Sequence, residues 1–414
     1  KNMTSLPSQT IVPTATVLGR LTVGTDKPWE RDALLTPLLC LKRTWGFAPR
    51  HAENSPHIMV TMSSSFSWPK TLTSVIEGHD LTVDEAREAM LAVMAGTTTD
   101  AQLGAFLVAL RAKGETVDEI AGFREAVLEN AVGLDLPSLV LDIVGTGGDP
   151  FGAVVNVSSI ASIVASAAGV PVVKHGNRAA SSASGASDVL TALGVNLEGD
   201  PSAVSRVFEE VGLTFVFAAH FHPGFRHAAA ARKELGIPTV FNILGPLCNP
   251  ARPEASAVGV SDATRLHQVA GVFQTRGATA LVYRGEDGID KMTTTGTSLV
   301  LEVSSGQMRE HTVNAQDLGL AKATPQDLLG TGPEHNAELA RAVLAGEQGP
   351  VRDIVVLNAA AGMVAFDLAQ DPTEATMPLR ERLLTKIALA EATLDSGAAA
   401  DKLDAWSAAT HRSV

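Results

Sequence analysis

A change of pattern at Pro137 constrains the fold of this chain more than any other feature of its sequence. Beyond it, short apolar runs at 139–144, 170–173, 214–218, 257–260 and 280–283 are separated by stretches of helical periodicity such as 158–168, 202–211 and 263–275. Residues 295–312 alternate like a hairpin, and residues 336–409 are helical with a break at Gly349 and Pro350. This alternation predicts an α/β fold with a mainly parallel central sheet over residues 138–414.

Residues 70–137 show a purely helical pattern. Three capping boxes, each a threonine followed three residues later by Glu or Gln, precede runs of apolar residues at helical spacing. The boxes are Thr82 with Glu85, Thr99 with Gln102, and Thr116 with Glu119. We therefore predict a small N-terminal helical domain beside the larger α/β domain, and helices near 225–250 are candidates to join it.

The first 69 residues differ from the rest of the chain. Seven basic and four acidic side chains give them a net charge of +3, whereas the whole chain carries −13. They contain Trp29, Trp45 and Trp68 but no sustained helical or strand period. One interpretation is a targeting or interaction arm, and the other is a disordered or artefactual extension, with Met59 or Met62 as the true start. We favour the second, because termini without a packing pattern are usually unordered.

Composition excludes several classes of protein. The excess of 45 acidic over 32 basic residues argues against general nucleic-acid binding, which requires Lys and Arg to cover phosphates. No run of about eighteen apolar residues predicts a transmembrane helix, and the first residues lack the layout of a signal peptide. Two cysteines, Cys40 and Cys248, are too few for a disulfide framework or a metal cluster. We expect a cytoplasmic protein with neither a membrane nor a nucleic acid as partner.

The richest motif follows the first apolar run of the α/β part. A predicted strand enters GTGGD at 145–149, and a helix follows from about residue 157. Glycines allow a tight turn whose N–H groups point at an anion, and a helix start adds positive partial charge. The motif predicts a phosphate or diphosphate cradle, with a plain connection between strand and helix as the alternative. Asn156, Ser158 and Ser159 would bind phosphate or a metal, or cap the helix.

A second group of hydrogen-bond donors, KHGNR at 174–178, directly follows the apolar run at 170–173. Parallel sheets bind ligands at the carboxyl ends of their strands, and Lys and Arg suit phosphate and carboxylate groups. Here His175 acts either as a general base or as a positioned hydrogen-bonding group. A second candidate anion site before the next helix consists of Ser181, Ser182, Ser184 and Gly185.

Two further segments carry candidate side chains. Arg232 follows the HPGFRH segment at 222–227, and it either reaches inward to a ligand or lies in solvent. Asp287 and Asp290 lie in a loop after a predicted strand, beside Lys291. Carboxylates in such a loop suit Mg²⁺, which prefers oxygen ligands, whereas a solvated turn is the alternative.

Together and in this order, the four motifs resemble those of the anthranilate phosphoribosyltransferases, over roughly residues 70–410. The resemblance rests on GTGGD at 145–149, NVSS at 156–159, KHGNRAASSASGASDVLTALG at 174–194, HPGFRHAAAARKELGIPTVFNILGPLCNPARP at 222–253 and DGID at 287–290. It implies Mg²⁺-dependent transfer of a 5-phosphoribosyl group from 5-phosphoribosyl 1-diphosphate to the amine of anthranilate, with release of diphosphate, in tryptophan biosynthesis. It also implies a homodimer formed through the helical parts.

The resemblance also implies roles for individual residues, none of them a catalytic acid or base. The residues implied to bind the phosphoribosyl donor are Gly145, Thr146, Gly147, Gly148, Asp149, Asn156, Ser158, Ser159, Lys174 and Ser184. Those implied to bind anthranilate are Gly145, His175, Asn177 and Arg232. The implied metal ligands are Ser158 and Asp290. Positioning of the two substrates is then expected to provide most of the catalysis.

The sequence departs from the family pattern on the donor and metal side. Pro150 stands where Gly is usual, one residue is added between Asp149 and Asn156, the usual threonine before Asn156 is missing, and Lys291 replaces a Glu. Lys291 either repels Mg²⁺ or contacts the diphosphate in place of a metal. Three functions remain open: a weakened enzyme, a paralogue with another aromatic acceptor, and a catalytically silent binding or regulatory module. We favour the enzyme, because GTGGD and KHGNR are both retained.

Overall fold

The computed structural model describes residues 66–152, 154–178 and 184–412. Its first part consists of four helices: α1 (Trp68–Ile76), α2 (Val83–Met94), α3 (Asp100–Lys113) and α4 (Val117–Glu129). Helices α2, α3 and α4 each begin with the predicted capping box, in which the threonine hydroxyl accepts one backbone N–H and the Glu or Gln side chain accepts another. The three predicted helix starts are therefore confirmed.

The predicted boundary after residue 69 is too late, because helix α1 begins at Trp68. The Trp68 side chain is buried, and its ring makes edge-to-face contacts with Phe66 and Phe106 at centroid distances of 5.3 and 5.2 Å. A large aromatic ring buried in this way contributes strongly to a core. The helical part therefore includes residues 66–69, while the remainder of the predicted extension, 1–65, lies outside the described residues.

The second part is built on a single sheet. Its strands are β1 (Leu141–Gly145), β2 (Val172–Gly176), β3 (Leu213–Phe217), β4 (Ala255–Gly259), β5 (Thr279–Gly285), β6 (Thr297–Ser304) and β7 (Gln307–Asn314), in the order β3-β2-β1-β4-β5-β6-β7. Strands β1 to β5 are parallel, and β6 and β7 form an antiparallel hairpin at one edge. The predicted α/β fold with a mainly parallel sheet is confirmed.

The helices of the second part are α5 (Val157–Ala167), α6 (Ala186–Ala192), α7 (Pro201–Val211), α8 (Ala218–Phe221), α9 (Ala229–Leu235), α10 (Phe241–Leu247), α11 (Leu266–Thr275), α12 (Pro333–Leu344), α13 (Pro350–Gln370), α14 (Leu379–Asp395) and α15 (Ala398–Arg412). Helices α5 and α13 pack on one face of the sheet, and α11 packs on the other. The predicted break at Gly349 and Pro350 separates α12 from α13, where the proline occupies the first helical position. Within the described residues, no helix is both long enough and apolar enough to span a bilayer.

Two apolar cores position the surrounding elements. One lies between the sheet and helices α5 and α13, and the residues of α13 approach β1 so closely that a Cβ at Gly362 would lie 2.6 Å from Ile143 Cδ1. The other joins α1–α4 to α9, α10 and α11. Residues on α9 and α10 therefore pack with the helical part, although they follow β3 in the chain.

Candidate active site

A cavity of about 310 Å³ opens at the carboxyl ends of β1 and β2. The strand order reverses between β1 and β4, and parallel sheets bind ligands at such a reversal. The structure brings nearly all residues singled out in the sequence to the wall of this cavity: Gly145, Thr146, Gly147, Gly148, Asp149, Asn156, Ser158, Lys174, His175, Asn177, Ser184, Arg232, Asp290 and Lys291. Residues that lie far apart in the chain thus converge on one site.

Ser159 is the exception among the predicted donor-binding residues. Its side chain is buried in the interior and is not part of the cavity wall, whereas Ser158, one position earlier on α5, lines the cavity. Successive helical residues point about 100° apart, so the side chains of Ser158 and Ser159 point in different directions. The structure gives the Ser159 side chain no place at the cavity wall, and its predicted role in donor binding stays a prediction. Ser181 and Ser182 lie outside the described residues.

The glycine loop after β1 is held from two sides. Gly147 and Gly148 adopt left-handed backbone angles, with φ of +71° and +78°, which residues other than glycine rarely adopt. The Gly147 N–H donates to Asp290 Oδ2 at 2.7 Å, and the Ser261 hydroxyl donates to the Gly147 carbonyl at 2.6 Å. The N–H groups of Gly148 and Asp149 make no hydrogen bond within the described part of the chain. These two donors remain free to meet an anion at the cavity wall.

Lys174 presents a buried ammonium to the same end of the cavity. Its Nζ donates to the Ile143 carbonyl at 2.6 Å and to the Ser158 hydroxyl at 3.4 Å. Burial lowers the pKa of Lys174 to about 8, against the attraction of the nearby Asp142 carboxylate. The side chain therefore remains mostly charged at neutral pH, and its position is fixed before any ligand arrives.

Asp142 supports this arrangement from beneath the cavity. Its carboxylate accepts the His175 backbone N–H at 3.1 Å and the Asn249 side-chain amide at 2.9 Å. Burial raises the pKa of Asp142 to about 6, and the charge of Lys174 acts in the opposite direction. A carboxylate at this position compensates the buried ammonium and fixes the start of the KHGNR segment, but it does not line the cavity.

His175 and Asn177 also line the cavity, and they are polar side chains without net charge. His175 Nδ1 lies 2.9 Å from the Gly245 carbonyl, which can only accept, so Nδ1 carries the proton. Burial lowers the pKa of His175 to about 3, so the ring is neutral and Nε2 carries a lone pair. The Asn177 side-chain oxygen accepts the Arg178 N–H at 2.8 Å, which leaves the amide Nδ2 as a donor.

Arg232 lies on α9 with its guanidinium over the Phe241 ring, 5.0 Å from the centroid. The side chain is partly buried, and burial lowers the pKa of its guanidinium. It forms no ion pair within the described residues, so its charge is not neutralised by the protein there. A planar cation beside an aromatic ring is suited to a carboxylate on an aromatic ligand.

The sequence analysis assigned no role to several residues that line the cavity near Arg232. Phe225 and Phe241 pack edge to face at a centroid distance of 5.7 Å and form an aromatic wall, to which Asn242 and Pro246 contribute. Apolar side chains in a helical pattern are more often core than ligand wall, and both phenylalanines also pack in the second core. Their position within the HPGF and FNILGP strings that carry the resemblance was the one available signal.

The side chains around Asp290 do not fit a resident Mg²⁺. Asp290 Oδ1 is paired with the Lys291 ammonium, and Oδ2 accepts the Gly147 N–H. Asp287 is also occupied, because its carboxylate accepts the hydroxyls of Thr293 and Thr295 at 2.7 and 2.6 Å. Within the described ranges, no group of three or more His, Cys, Asp or Glu side chains could hold a metal. The implied metal role of Asp290 is therefore not supported by this geometry.

Comparison with known proteins gives the family. Residues 138–400 match the model described as "Glycosyl transferase family, a/b domain", and residues 69–131 match that of the helical bundle domain. An anthranilate phosphoribosyltransferase of Clavibacter michiganensis is 62% identical over 349 residues, which are 84% of this chain and 99% of that protein. The chain belongs to the anthranilate phosphoribosyltransferase family. The anthranilate phosphoribosyltransferase of Leifsonia xyli is 60% identical over 84% of this chain and 100% of its own length.

Solved anthranilate phosphoribosyltransferases share the fold. The structure from Thermus thermophilus is 42% identical, with a TM-score of 0.75, and the match covers 82% of this chain and 99% of that one. A structure from Saccharomyces cerevisiae in complex with PRPP and Mg is 27% identical, with a TM-score of 0.74 over 85% of this chain and 99% of that one. The predicted enzyme class and the predicted combination of a helical and an α/β part are confirmed.

Proposed function

We propose that this enzyme transfers the 5-phosphoribosyl group of 5-phosphoribosyl 1-diphosphate to the amine of anthranilate and releases diphosphate, as a step of tryptophan biosynthesis. One observation carries the proposal: the wall of a single cavity combines a buried ammonium and backbone N–H groups with a guanidinium beside aromatic rings, and neither the N–H groups nor the guanidinium has a hydrogen-bonding or ionic partner within the described residues. The first set suits a diphosphate, and the second suits an aromatic carboxylate. The yeast relative whose structures contain PRPP and Mg, and 4-fluoroanthranilate, supports the same pair of ligands.

The donor end stabilises the leaving group. As the bond between ribose C1 and the diphosphate oxygen breaks, its electron pair departs with the diphosphate and positive charge develops on the sugar. The Lys174 ammonium and the N–H groups of Gly148 and Asp149 meet the negative charge on the departing oxygens. Donors that are fixed before the reaction are effective at this task, because they need no reorganisation when the charge develops.

The acceptor end positions the nucleophile. Arg232 and the Asn177 amide hold the carboxylate of anthranilate, while Phe225 and Phe241 bound its ring. The neutral His175 ring, fixed through Nδ1 on the Gly245 carbonyl, supports this wall from its buried side. The amine's electron pair forms the new C–N bond, and the surplus proton leaves to solvent. No residue is required as a general base before bond formation, since positioning alone can supply a large part of the rate.

Magnesium is assigned to the substrate in this proposal. Mg²⁺ is usually bound through phosphate oxygens and water with few protein ligands, and we propose that it arrives with the diphosphate of the donor. The yeast relative in complex with PRPP and Mg supports a Mg²⁺ requirement for this chain.

We also propose a homodimer formed through the helical part. Ile76 on α1 and Val108 on α3 are exposed apolar side chains there, with 69% and 42% of their surface accessible. Sedimentation of the protein at micromolar concentration would test this, and a monomer throughout would contradict it.

The direct test of function is a product assay with anthranilate, 5-phosphoribosyl 1-diphosphate and Mg²⁺. We expect loss of anthranilate fluorescence together with release of one diphosphate for each anthranilate consumed. A silent binding module would bind the donor without turnover. A paralogue would release diphosphate only with another aromatic amine, so substituted aminobenzoates are tested in parallel.

A further inference from the structure

Lys291 is a buried lysine at the wall of the donor end of the cavity. Only 9% of the residue is exposed, and its ammonium is paired with the Asp290 carboxylate. We propose that Lys291 binds the diphosphate of the donor directly and replaces a metal ion held by the protein at this position. The inference rests on the proposed function for the identity of its ligand.

The hydrogen-bonding capacity of Lys291 supports a ligand role. A lysine ammonium has three N–H donors, and within the described residues the structure shows one partner, Asp290 Oδ1. Two donors therefore remain at the wall of a cavity that contains free backbone N–H groups and the ammonium of Lys174. An ammonium kept away from water needs further acceptors, and the terminal oxygens of a diphosphate supply them.

The charges of Asp290 and Lys291 also favour an anion over a metal ion at this position. Asp290 and Lys291 neutralise each other, and the second Asp290 oxygen is engaged by the Gly147 N–H, so little attraction remains for a dication. The resemblance implies a glutamate at position 291, and a carboxylate with a bound dication carries a net charge of +1. A single ammonium carries the same +1. Lys291 therefore restores the charge that a diphosphate would meet, with one ion fewer.

Lys174 gives a further reason for an anionic ligand. Lys174 and Lys291 are both buried and both line this cavity, so their positive charges repel each other across the same space. An anion with several negative charges placed against both would relieve this repulsion, whereas Mg²⁺ at the same place would increase it.

The test measures binding of inorganic diphosphate by titration calorimetry, with a chelator present and no metal added. We expect the wild-type protein to bind diphosphate under these conditions and Lys291→Gln to weaken binding about tenfold or more. Lys291→Arg should retain most of the affinity, because the charge is kept. The matched control is Lys386→Gln, which breaks another Lys–Asp pair, to Asp367 at 2.5 Å, outside the cavity wall. This control should bind diphosphate as the wild type does.

Loss of Lys291 alone leaves the buried Asp290 unpaired and could unfold the protein. The double variant Asp290→Asn with Lys291→Gln avoids this, because it removes both charges and keeps the net charge of the site. Its thermal midpoint verifies folding, and we expect the same loss of diphosphate affinity. Undiminished binding by a folded double variant would overturn the proposal.

A metal titration of the donor-free protein provides the second readout. We expect no heat from Mg²⁺ binding to the wild type, and measurable binding to Lys291→Glu. Tight binding of Mg²⁺ alone by the wild type would overturn the proposal. Failure of the proposed function is recognised separately: a protein that binds diphosphate through Lys291 but shows no turnover with any aminobenzoate refutes that function only. Turnover with diphosphate binding independent of Lys291 refutes the inference only.

Discussion

Replacement of Arg232 by alanine tests the orientation of the two substrates in the cavity. The guanidinium is partly buried, forms no ion pair within the described residues and lies over Phe241. If it holds the carboxylate of anthranilate, the variant loses a charge-assisted hydrogen bond at a partly buried position. Such an interaction contributes roughly 1.5–3 kcal/mol net. Since about 1.4 kcal/mol corresponds to a factor of ten, KM for anthranilate should rise about ten- to a hundredfold.

Steady-state kinetics with each substrate varied in turn gives the measurement. KM for the phosphoribosyl donor should change much less, because Arg232 lies over Phe241, whereas Lys174 is held by Ile143 and Ser158. Competitive inhibition sharpens the assay: benzoate should inhibit the wild type better than benzamide, and Arg232→Ala should remove this preference. The matched control is Arg226→Ala, an exposed arginine on the neighbouring 3₁₀ helix that does not line the cavity. A larger rise in KM for the donor than for anthranilate would refute the assignment.

Two further predictions concern the donor side. Burial lowers the pKa of Lys174 to about 8, below its usual 10.5, so between these pH values the unfolded chain binds more protons than the folded protein. The free energy of unfolding of the wild type, measured relative to Lys174→Met, should therefore rise as the pH increases from about 8 to 10.5. Urea unfolding of both proteins at the two ends of the window tests this, and a constant difference would contradict it. Gly259→Ala places a Cβ against the backbone carbonyl of Asp290, so it should lower the free energy of unfolding by about 1–3 kcal/mol and weaken diphosphate binding. In Gly104→Ala, where nothing lies within 4 Å of the new Cβ, stability should be unchanged or slightly higher.

The periodicity of the sequence predicted the type and order of the main elements, but it misplaced the strand ends. The apolar run at 170–173 predicts a strand that ends before Lys174, whereas β2 is Val172–Gly176 and includes both Lys174 and His175. An apolar run marks a buried strand only while its side chains are apolar. Here the strand continues through polar residues, because Asp142 compensates them from a neighbouring strand, and that pairing depends on a sheet order that local sequence does not specify.

Some residues of the candidate site could likewise be predicted from the sequence, and others could not. Glycines before a helix and cations after a strand have few structural explanations other than a ligand, so their chemistry was readable from the chain. Ser158 and Ser159 were not distinguishable, since the rotation of α5 about its axis decides which one reaches the cavity. Phe225 and Phe241 belong to a helical core and a cavity wall at once. Only the packing of α10 and of the 3₁₀ helix Pro223–Ala228 reveals the second role.

The departures from the family pattern differ in whether they change the charge and the hydrogen-bond donors at the cavity. Asp149, Pro150, Phe151 and Gly152 form one turn, in which the Gly152 N–H donates to the Asp149 carbonyl at 3.2 Å and the Phe151 N–H donates to Asp149 Oδ1 at 3.0 Å. Proline at the second position of such a turn, with Asp first and Gly last, matches common turn preferences, so the proline and the added residue are accommodated together.

After this turn the chain is fixed again, because the Val155 N–H donates to the Leu328 carbonyl at 3.0 Å before α5 begins. The N–H groups of Gly148 and Asp149, which precede the proline, keep their freedom to bind an anion. A changed turn beside an intact cradle alters neither the charge nor the donors that a diphosphate meets. Lys291 alters both, since it reverses the charge expected at its position and adds N–H donors to the wall. Of these departures from the expected pattern, Lys291 is therefore the one that should most affect how diphosphate binds.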